Sequence, residues 1–359
     1  MIIGIDGLSL INPQNGIGRY TYQMISRLVL CSDHKWIIFL ANDSYKTDTY
    51  FANLNVEFRV SPSSNKFIRL IWYHFITPFI IRRDKCDCFW GTAHKLPFFL
   101  PNQVKKVLTI HDLVWKKHPK TMRLSSRLLE SFFTPRALKL ADHILVDSKT
   151  IKTELSEEFP CTRNKITTIY LAANNNNENM NGQTKNFILY VGTIEPRKNL
   201  PNLISAYLYL SKELQRKFTL KIVGRAGWGR KLKIPNDLNI EVLGDIDDDQ
   251  LSVLYSQAYV VILPSLYEGF GLPIVESFSH GVPVIVSNTS SMPEIVDDAG
   301  ILINPSNIES ITFGLNEILS SHELREELSL KAKKRDKFFS WDKSAKKLIG
   351  IFRLINLEK

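Results

Sequence analysis

Tyr267 to Asn288 reads YEGFGLPIVESFSHGVPVIVSN, and two carboxylates in it, Glu268 and Glu276, flank a glycine turn placed to open a helix. The run just before it, Ala258 to Pro264, is short, rich in β-branched residues and closed by proline, as expected of a buried parallel strand feeding a loop at its carboxyl end. Gly269 and Gly271 leave room for a ligand to approach the backbone. A helix from Gly271 to His280 then points its positive end at a phosphate, with amides from Gly269 through Phe270, Gly271 and Leu272 in reach. At about 1.5 Å per helical residue, the two carboxylates stand ~12 Å apart, enough to meet a sugar and a ribose at opposite ends of a nucleotide sugar. Carboxylates suit vicinal hydroxyls because they accept hydrogen bonds and donate none.

This spacing, with Gly-Phe-Gly-Leu-Pro after the first glutamate, resembles the signature of the family 4 glycosyltransferases, the retaining kind with the GT-B fold. The resemblance implies an α/β chain of two Rossmann-like, doubly wound parallel-sheet domains facing across a cleft. It assigns Glu268 to the transferred sugar and Glu276 to the ribose.

Composition agrees with a two-domain enzyme. A chain of 359 residues is too long for one ordinary core and suits two domains of about 150 to 180 residues. Four cysteines, Cys31, Cys86, Cys88 and Cys161, have neither zinc spacing nor disulfide density, which points to reduced thiols in the cytosol. Met1 to Asp6 reads as a strand, without the basic leader of a secretory signal. The net charge of +10 lies wholly in the first half: residues 1–170 hold 24 Lys and Arg against 14 Asp and Glu, and residues 171–359 hold 22 of each. No nucleic-acid module accompanies the excess, so an anionic membrane surface or a lipid-pyrophosphate acceptor explains it better than nucleic acid.

In chain order, the first strand leads through a loop to Asn15-Gly16-Ile17-Gly18-Arg19-Tyr20, where Gly16 and Gly18 put amides at a helix start. In the family this loop faces the cleft near donor phosphate and acceptor. Phe67 to Ile81 is dense in aromatic and branched residues between Lys66, Arg69, Arg82 and Arg83. It is too short to span a bilayer, which leaves core packing or an interfacial helix. The strand Lys105 to Ile110 ends in His111-Asp112-Leu113, which resembles the family's cleft histidine beside the transferred sugar; Asp112 is placed to orient the ring or to meet the acceptor. His94 and His118 read as ordinary surface or loop residues. Arg123 to Leu140 reads as a basic amphipathic helix.

The first domain is expected to cover residues 1–171, with 341–359 crossing back to it, then a linker at 172–186 and a second domain at 187–340. Four consecutive asparagines mark the linker. After the strand Phe187 to Val191 come Gly192, Thr193, Glu195, Arg197 and Lys198, and adjacent cations at a strand-to-helix loop suit a diphosphate. Many family members carry Arg where this chain has Thr193, which shifts the burden to Arg197 and Lys198. Gly224, closing the next strand, joins the donor side by the same resemblance. Asp245 to Asp249 reads as a helix cap before Gln250 to Ala258. Ile246 and Asp248 fall where the family holds the base, and an Asp facing the two N–H donors of guanine favours GDP.

The implied activity is transfer of a hexose, with mannose from GDP-mannose favoured, to a lipid-linked oligosaccharide of bacterial surface polysaccharide. It is expected without metal or other cofactor, on the inner face of the plasma membrane. A UDP- or dTDP-sugar donor, an epimerase of the same fold and a non-catalytic anion- or nucleic-acid-binding protein are the rival readings.

Overall fold

A computed structural model describes residues 1–12, 15–43, 51, 54–174, 183–229 and 238–357. Contacts divide the chain into two units, one of residues 1–113, 125–171 and 341–359, the other of residues 114–124 and 172–340. The short Val114–Leu124 segment thus packs with the second unit, although in sequence it lies inside the first. Most of the expected 172–186 linker, residues 175–182, lies outside the described residues.

In the first unit the described residues form a seven-stranded parallel sheet: β1 (Ile2–Asp6), β2 (Lys35–Leu40), β3 (Val56–Val60), β4 (Cys88–Gly91), β5 (Lys105–Ile110), β6 (His143–Val146) and β7 (Ile166–Thr168), in the order β3-β2-β1-β4-β5-β6-β7. Inner strands such as Trp36–Leu40 are continuous apolar runs because both faces are covered by helices. The edge strand β3 breaks that rule and leaves little signal in the sequence: Glu57 and Arg59 alternate with its apolar residues, and Arg59 is held by Glu57 and Asp84 at 2.7 Å each. The Trp341–Leu357 helix belongs to this unit. Its Phe352 packs against Trp36 and Trp90, Ser344 donates to the Tyr170 carbonyl, and Asp342 pairs with Arg27.

The second unit has the parallel order β10-β9-β8-β11-β12-β13, from β8 (Phe187–Val191), β9 (Thr219–Val223), β10 (Ile240–Gly244), β11 (Val260–Leu263), β12 (Val284–Ser287) and β13 (Gly300–Ile303). Its core packs Ile188, Tyr190, Leu220, Ile222 and Ile262 of the sheet against Leu203, Tyr207, Ile311 and Leu315 of the helices. Both units are Rossmann-like. In each sheet the chain reverses direction at one place, between β1 and β4 and between β8 and β11, and ligands of such sheets sit beyond the carboxyl ends of the strands at that point.

Residues 66–83 are helical in three pieces, Lys66–Ile71, a wider turn over Trp72–Ile76, and Thr77–Arg83. Pro78 has no N–H to give, and Thr77 N–H reaches back five residues to the Trp72 carbonyl, which accounts for the wide turn. The stretch divides between core and surface: Trp72, Tyr73, His74 and Ile81 are buried, whereas Phe67 and Phe79 are each 70% exposed. The Leu124–Leu140 helix departs from its expected amphipathicity. Thr134, Ala137 and Leu138 are its buried residues, and Leu124, Leu128, Leu129 and Phe132 face outward.

Candidate functional site

In the second unit the loops after β8 and β11 meet at the point where the strand order reverses, and the predicted charged residues lie on them. Beyond β8, Pro196–Lys198 makes one 3-10 turn that ends at Asn199, in the left-handed region at φ 60°. Asn tolerates that conformation, and its side-chain amide donates to the carbonyls of Pro264 and Pro305 at 3.0 and 2.7 Å, tying the loop after β8 to those after β11 and β13. Asn199 was not singled out in the sequence, where it reads as a plain loop residue.

Glu268 is the hub of this loop pair. Its Oε2 accepts from Arg197 at 2.8 Å and its Oε1 from Lys198 at 2.6 Å, while Arg197 also donates to Glu195 and to the Tyr267 carbonyl. Two cations and two carboxylates therefore form one network, and the cations do not stand as a bare diphosphate cradle. Burial works to raise the pKa of Glu268, but the charges of Arg197 and Lys198 outweigh it and bring it down to about 2. Glu195 goes the other way, raised by burial against the same two cations. His118, set aside in the sequence, packs at a tilt against Tyr267, with ring centroids 5.2 Å apart; burial first and then the charge of Arg197 lower its pKa.

Beyond Glu268 the turn is held by serines. Glu268 N–H donates to Ser290 Oγ, and Ser291 Oγ donates to the carbonyls of Glu268 and Phe270. Gly271 has φ +96°, where a side chain would be strained, and the helix Leu272–Ser279 starts at the next residue. That helix buries Glu276, whose Oε2 accepts from Tyr255 Oη at 2.8 Å.

Gly192 and Thr193 lie on the loop after β8, where Ile194 bridges to Ala226. Gly224 has a packing reason to lack a side chain, because a Cβ there would lie 2.1 Å from the Gly192 carbonyl oxygen. In the acidic run Asp247 is the cap, accepting from Gln250 N–H at 2.7 Å, and the helix begins at Asp248, two residues earlier than expected. Asp248 is exposed and Ile246 half-buried.

The first unit carries the histidine. Ile110 of β5 pairs with Val146 of β6, which sets His111 and Asp147, each one residue past its strand, side by side. His111 Nδ1 lies 2.7 Å from Asp147 Oδ2, and Nε2 lies 2.9 Å from the Thr92 carbonyl. With both nitrogens placed to donate, the ring suits the charged form. Burial opposes that charge, and the charge and hydrogen bond of Asp147 outweigh burial to hold the pKa above its ordinary value. The partner of the ring is thus Asp147 rather than the neighbouring Asp112. Tyr20 packs edge-on against His111 at 4.8 Å from the helix Gly16–Cys31, whose first turn holds exposed Gly16 and buried Gly18. His94, read as an ordinary surface or loop residue, lies on the loop after β4 but is largely buried, and its Nε2 accepts from His111 N–H.

Comparison with known proteins agrees with this division. Residues 14–175 match the family model "Glycosyltransferase Family 4", and residues 173–335 match "Glycosyl transferases group 1". The chain is 28% identical to O-antigen chain mannosyltransferase B of Escherichia coli over 96% of its own length and 97% of the relative's. It is also 28% identical to O-antigen chain mannosyltransferase RfbU of Salmonella typhimurium, over 67% of this chain and 68% of that one. In fold it is similar to sucrose-phosphate synthase of Thermosynechococcus elongatus, with a TM-score of 0.75, 17% identity and full coverage of both chains.

Proposed function

The chain belongs to the family 4 glycosyltransferases, and from that premise we propose that it moves mannose from GDP-mannose, with retention, onto a hydroxyl of a lipid-linked oligosaccharide in O-antigen or exopolysaccharide assembly. One observation carries the reading: the two glutamates of the organising stretch are both buried and differently partnered, in a chain similar along its length to an O-antigen mannosyltransferase.

In this reaction the acceptor oxygen forms its bond to the anomeric carbon on the face from which the diphosphate departs, and a donor phosphate oxygen takes the acceptor proton. Arg197, Lys198 and the amides of Gly269 to Leu272 offset the charge growing on the leaving diphosphate, without a metal. Glu268 holds sugar hydroxyls, Glu276 the ribose and His111 the far side of the sugar. Asp248, with Ile246, faces the base, and its exposure leaves the carboxylate accessible.

The protein is proposed to work at the inner face of the plasma membrane. Among the described residues no helix is long and apolar enough to cross a membrane. The first unit instead exposes Phe67, Phe79, Phe99, Leu128 and Phe132, of which Phe99 and Phe132 are linked by ring contacts through Phe75 and Phe98, with Lys66, Arg82, Arg83 and Arg127 adjacent in sequence. Calorimetric titration with GDP, UDP, dTDP and ADP tests the donor reading: GDP is expected to bind tightest, and a preference for UDP or dTDP would move the assignment to a glucosyl- or rhamnosyltransferase.

A further inference from the structure

Beside His111, three side chains from separate elements converge: His94 from the loop after β4, Asp112 just past β5, and Glu130 from the helix Leu124–Leu140. Their ligand-type atoms lie within 4.8 Å of one another. That spacing invites a metal, but the hydrogen bonding argues otherwise. His94 Nε2 accepts from the backbone N–H of His111 at 3.2 Å, so its lone pair is used there and the neutral ring carries its proton on Nδ1. An Nδ1 that holds a proton has no lone pair for a cation.

Two atoms of the cluster lack a hydrogen-bond partner within the protein. His94 Nδ1 and Glu130 Oε2 are both buried and both unbonded within the protein, and they face each other at 3.8 Å. This is too long for a direct bond and short enough for one oxygen to bridge with two bonds of about 2.8 Å. Leaving both unsatisfied is costly, and the backbone adds strain, since His94 sits at φ 54°, where few non-glycine residues are found. Such a residue, held at the ligand end of a parallel sheet, points to use rather than to packing.

We infer that His94, Asp112 and Glu130 form a subsite for one hydroxyl of a neutral acceptor sugar, bridged between His94 Nδ1–H and Glu130 Oε2. The inference rests on the glycosyltransferase reading and adds the chemical class of the acceptor group. A hydroxyl both donates and accepts, and so satisfies a facing pair in which one atom is fixed as a donor. A phosphate or carboxylate would meet the Asp112 charge, and like charges brought together are strongly unfavourable. Burial, reinforced by Asp112, pushes Glu130 up to about 8, so at neutral pH it is a neutral acid whose Oε2 accepts from the hydroxyl.

The test uses the full chain and the nucleotide sugar that it cleaves. Diphosphate release is followed with octyl mannoside, octyl galactoside and octyl N-acetylglucosaminide as neutral probes and octyl glucuronide as the anionic one. At least one neutral glycoside is expected to accelerate release over water, and the glucuronide is not. Glu130→Leu, which removes the acceptor oxygen, should raise the apparent KM for that glycoside by about tenfold, the net worth of one hydrogen bond to a buried group. GDP affinity by calorimetry should stay unchanged, which also checks that the variant is folded. His94→Asn, a residue type that accepts left-handed backbone, should do the same and stands in if Glu130→Leu is unstable.

An unchanged acceptor KM in a folded variant would mean that only a buried water fills the gap, and would overturn the subsite. So would acceleration by the glucuronide, or by no neutral glycoside. Absence of any nucleotide-sugar cleavage by the wild type would instead sink the enzyme reading on which the subsite rests.

Discussion

Glu268 and Glu276 are the same residue type in surroundings that set them different tasks. Glu268 is clamped by Arg197 and Lys198, whereas Glu276 accepts from the Tyr255 hydroxyl at 2.8 Å. If Glu276 holds the ribose, that contact is nearly equal in ground and transition states, so Glu276→Gln should raise the donor KM by about tenfold and leave kcat nearly unchanged. If Glu268 meets the sugar while positive charge develops at its anomeric carbon, Glu268→Gln should lower kcat by about 10². GDP itself should bind the Glu268 variant no more weakly than wild type, since the substitution releases two cations, and should bind the Glu276 variant less well. Calorimetry on both variants checks this, and the reverse ordering would exchange the two roles. Glu130 gives a prediction of opposite electrostatic sense. Its pKa rises on folding from an ordinary 4.5 to about 8, so the native state holds a proton that the unfolded chain has lost, and stability falls as pH rises through that window. Thermal melts from pH 5 to 8 should show wild type losing ground to Glu130→Gln, and parallel curves would contradict the assignment. The glutamate pair was legible in the sequence because its spacing is local. Asp147 was not, because its place beside His111 depends on the register of β5 against β6, and Asp112 is the nearer residue in sequence only.

At the scale of elements, apolar runs announced β1, β8 and β11 to within two residues at each end, since strands buried on both faces have little alternative composition. Two helices were harder. Composition alone could not say which side of the stretch from 66 to 83 faces the core, because apolar residues occupy both sides, and the wide turn at Trp72–Ile76 breaks the 3.6-residue repeat that would have decided it. The Leu124–Leu140 helix turns its leucines outward for the same reason that it was misread: apolar residues suit a partner as well as a core. The acidic run at Asp245 resolves as a helix start, with Asp247 capping and Asp248 and Asp249 in the positive first turn. Activity should therefore survive EDTA at full rate. An absolute requirement for Mg²⁺ or Mn²⁺ in a chelator-treated enzyme would reopen that run as a ligand set.

For the whole molecule, the first half of the chain carries the excess of ten positive charges and also exposes Phe67, Phe79, Phe99 and Phe132. With several Lys and Arg near an anionic surface at roughly 1 kcal/mol each, the full-length protein should bind vesicles containing anionic lipid and leave them in high salt. Equal partition onto neutral vesicles, or onto neither, would contradict this. The central claim, retaining mannosyl transfer, is open to one direct measurement. Full-length enzyme is given GDP-mannose and the neutral glycoside that it accepts, and the anomeric configuration of the new linkage is read by one-bond carbon–hydrogen coupling. The account predicts an α-mannoside, the configuration of the donor; a β-mannoside, or no transfer from GDP-mannose beside efficient transfer from a UDP- or dTDP-sugar, would contradict it.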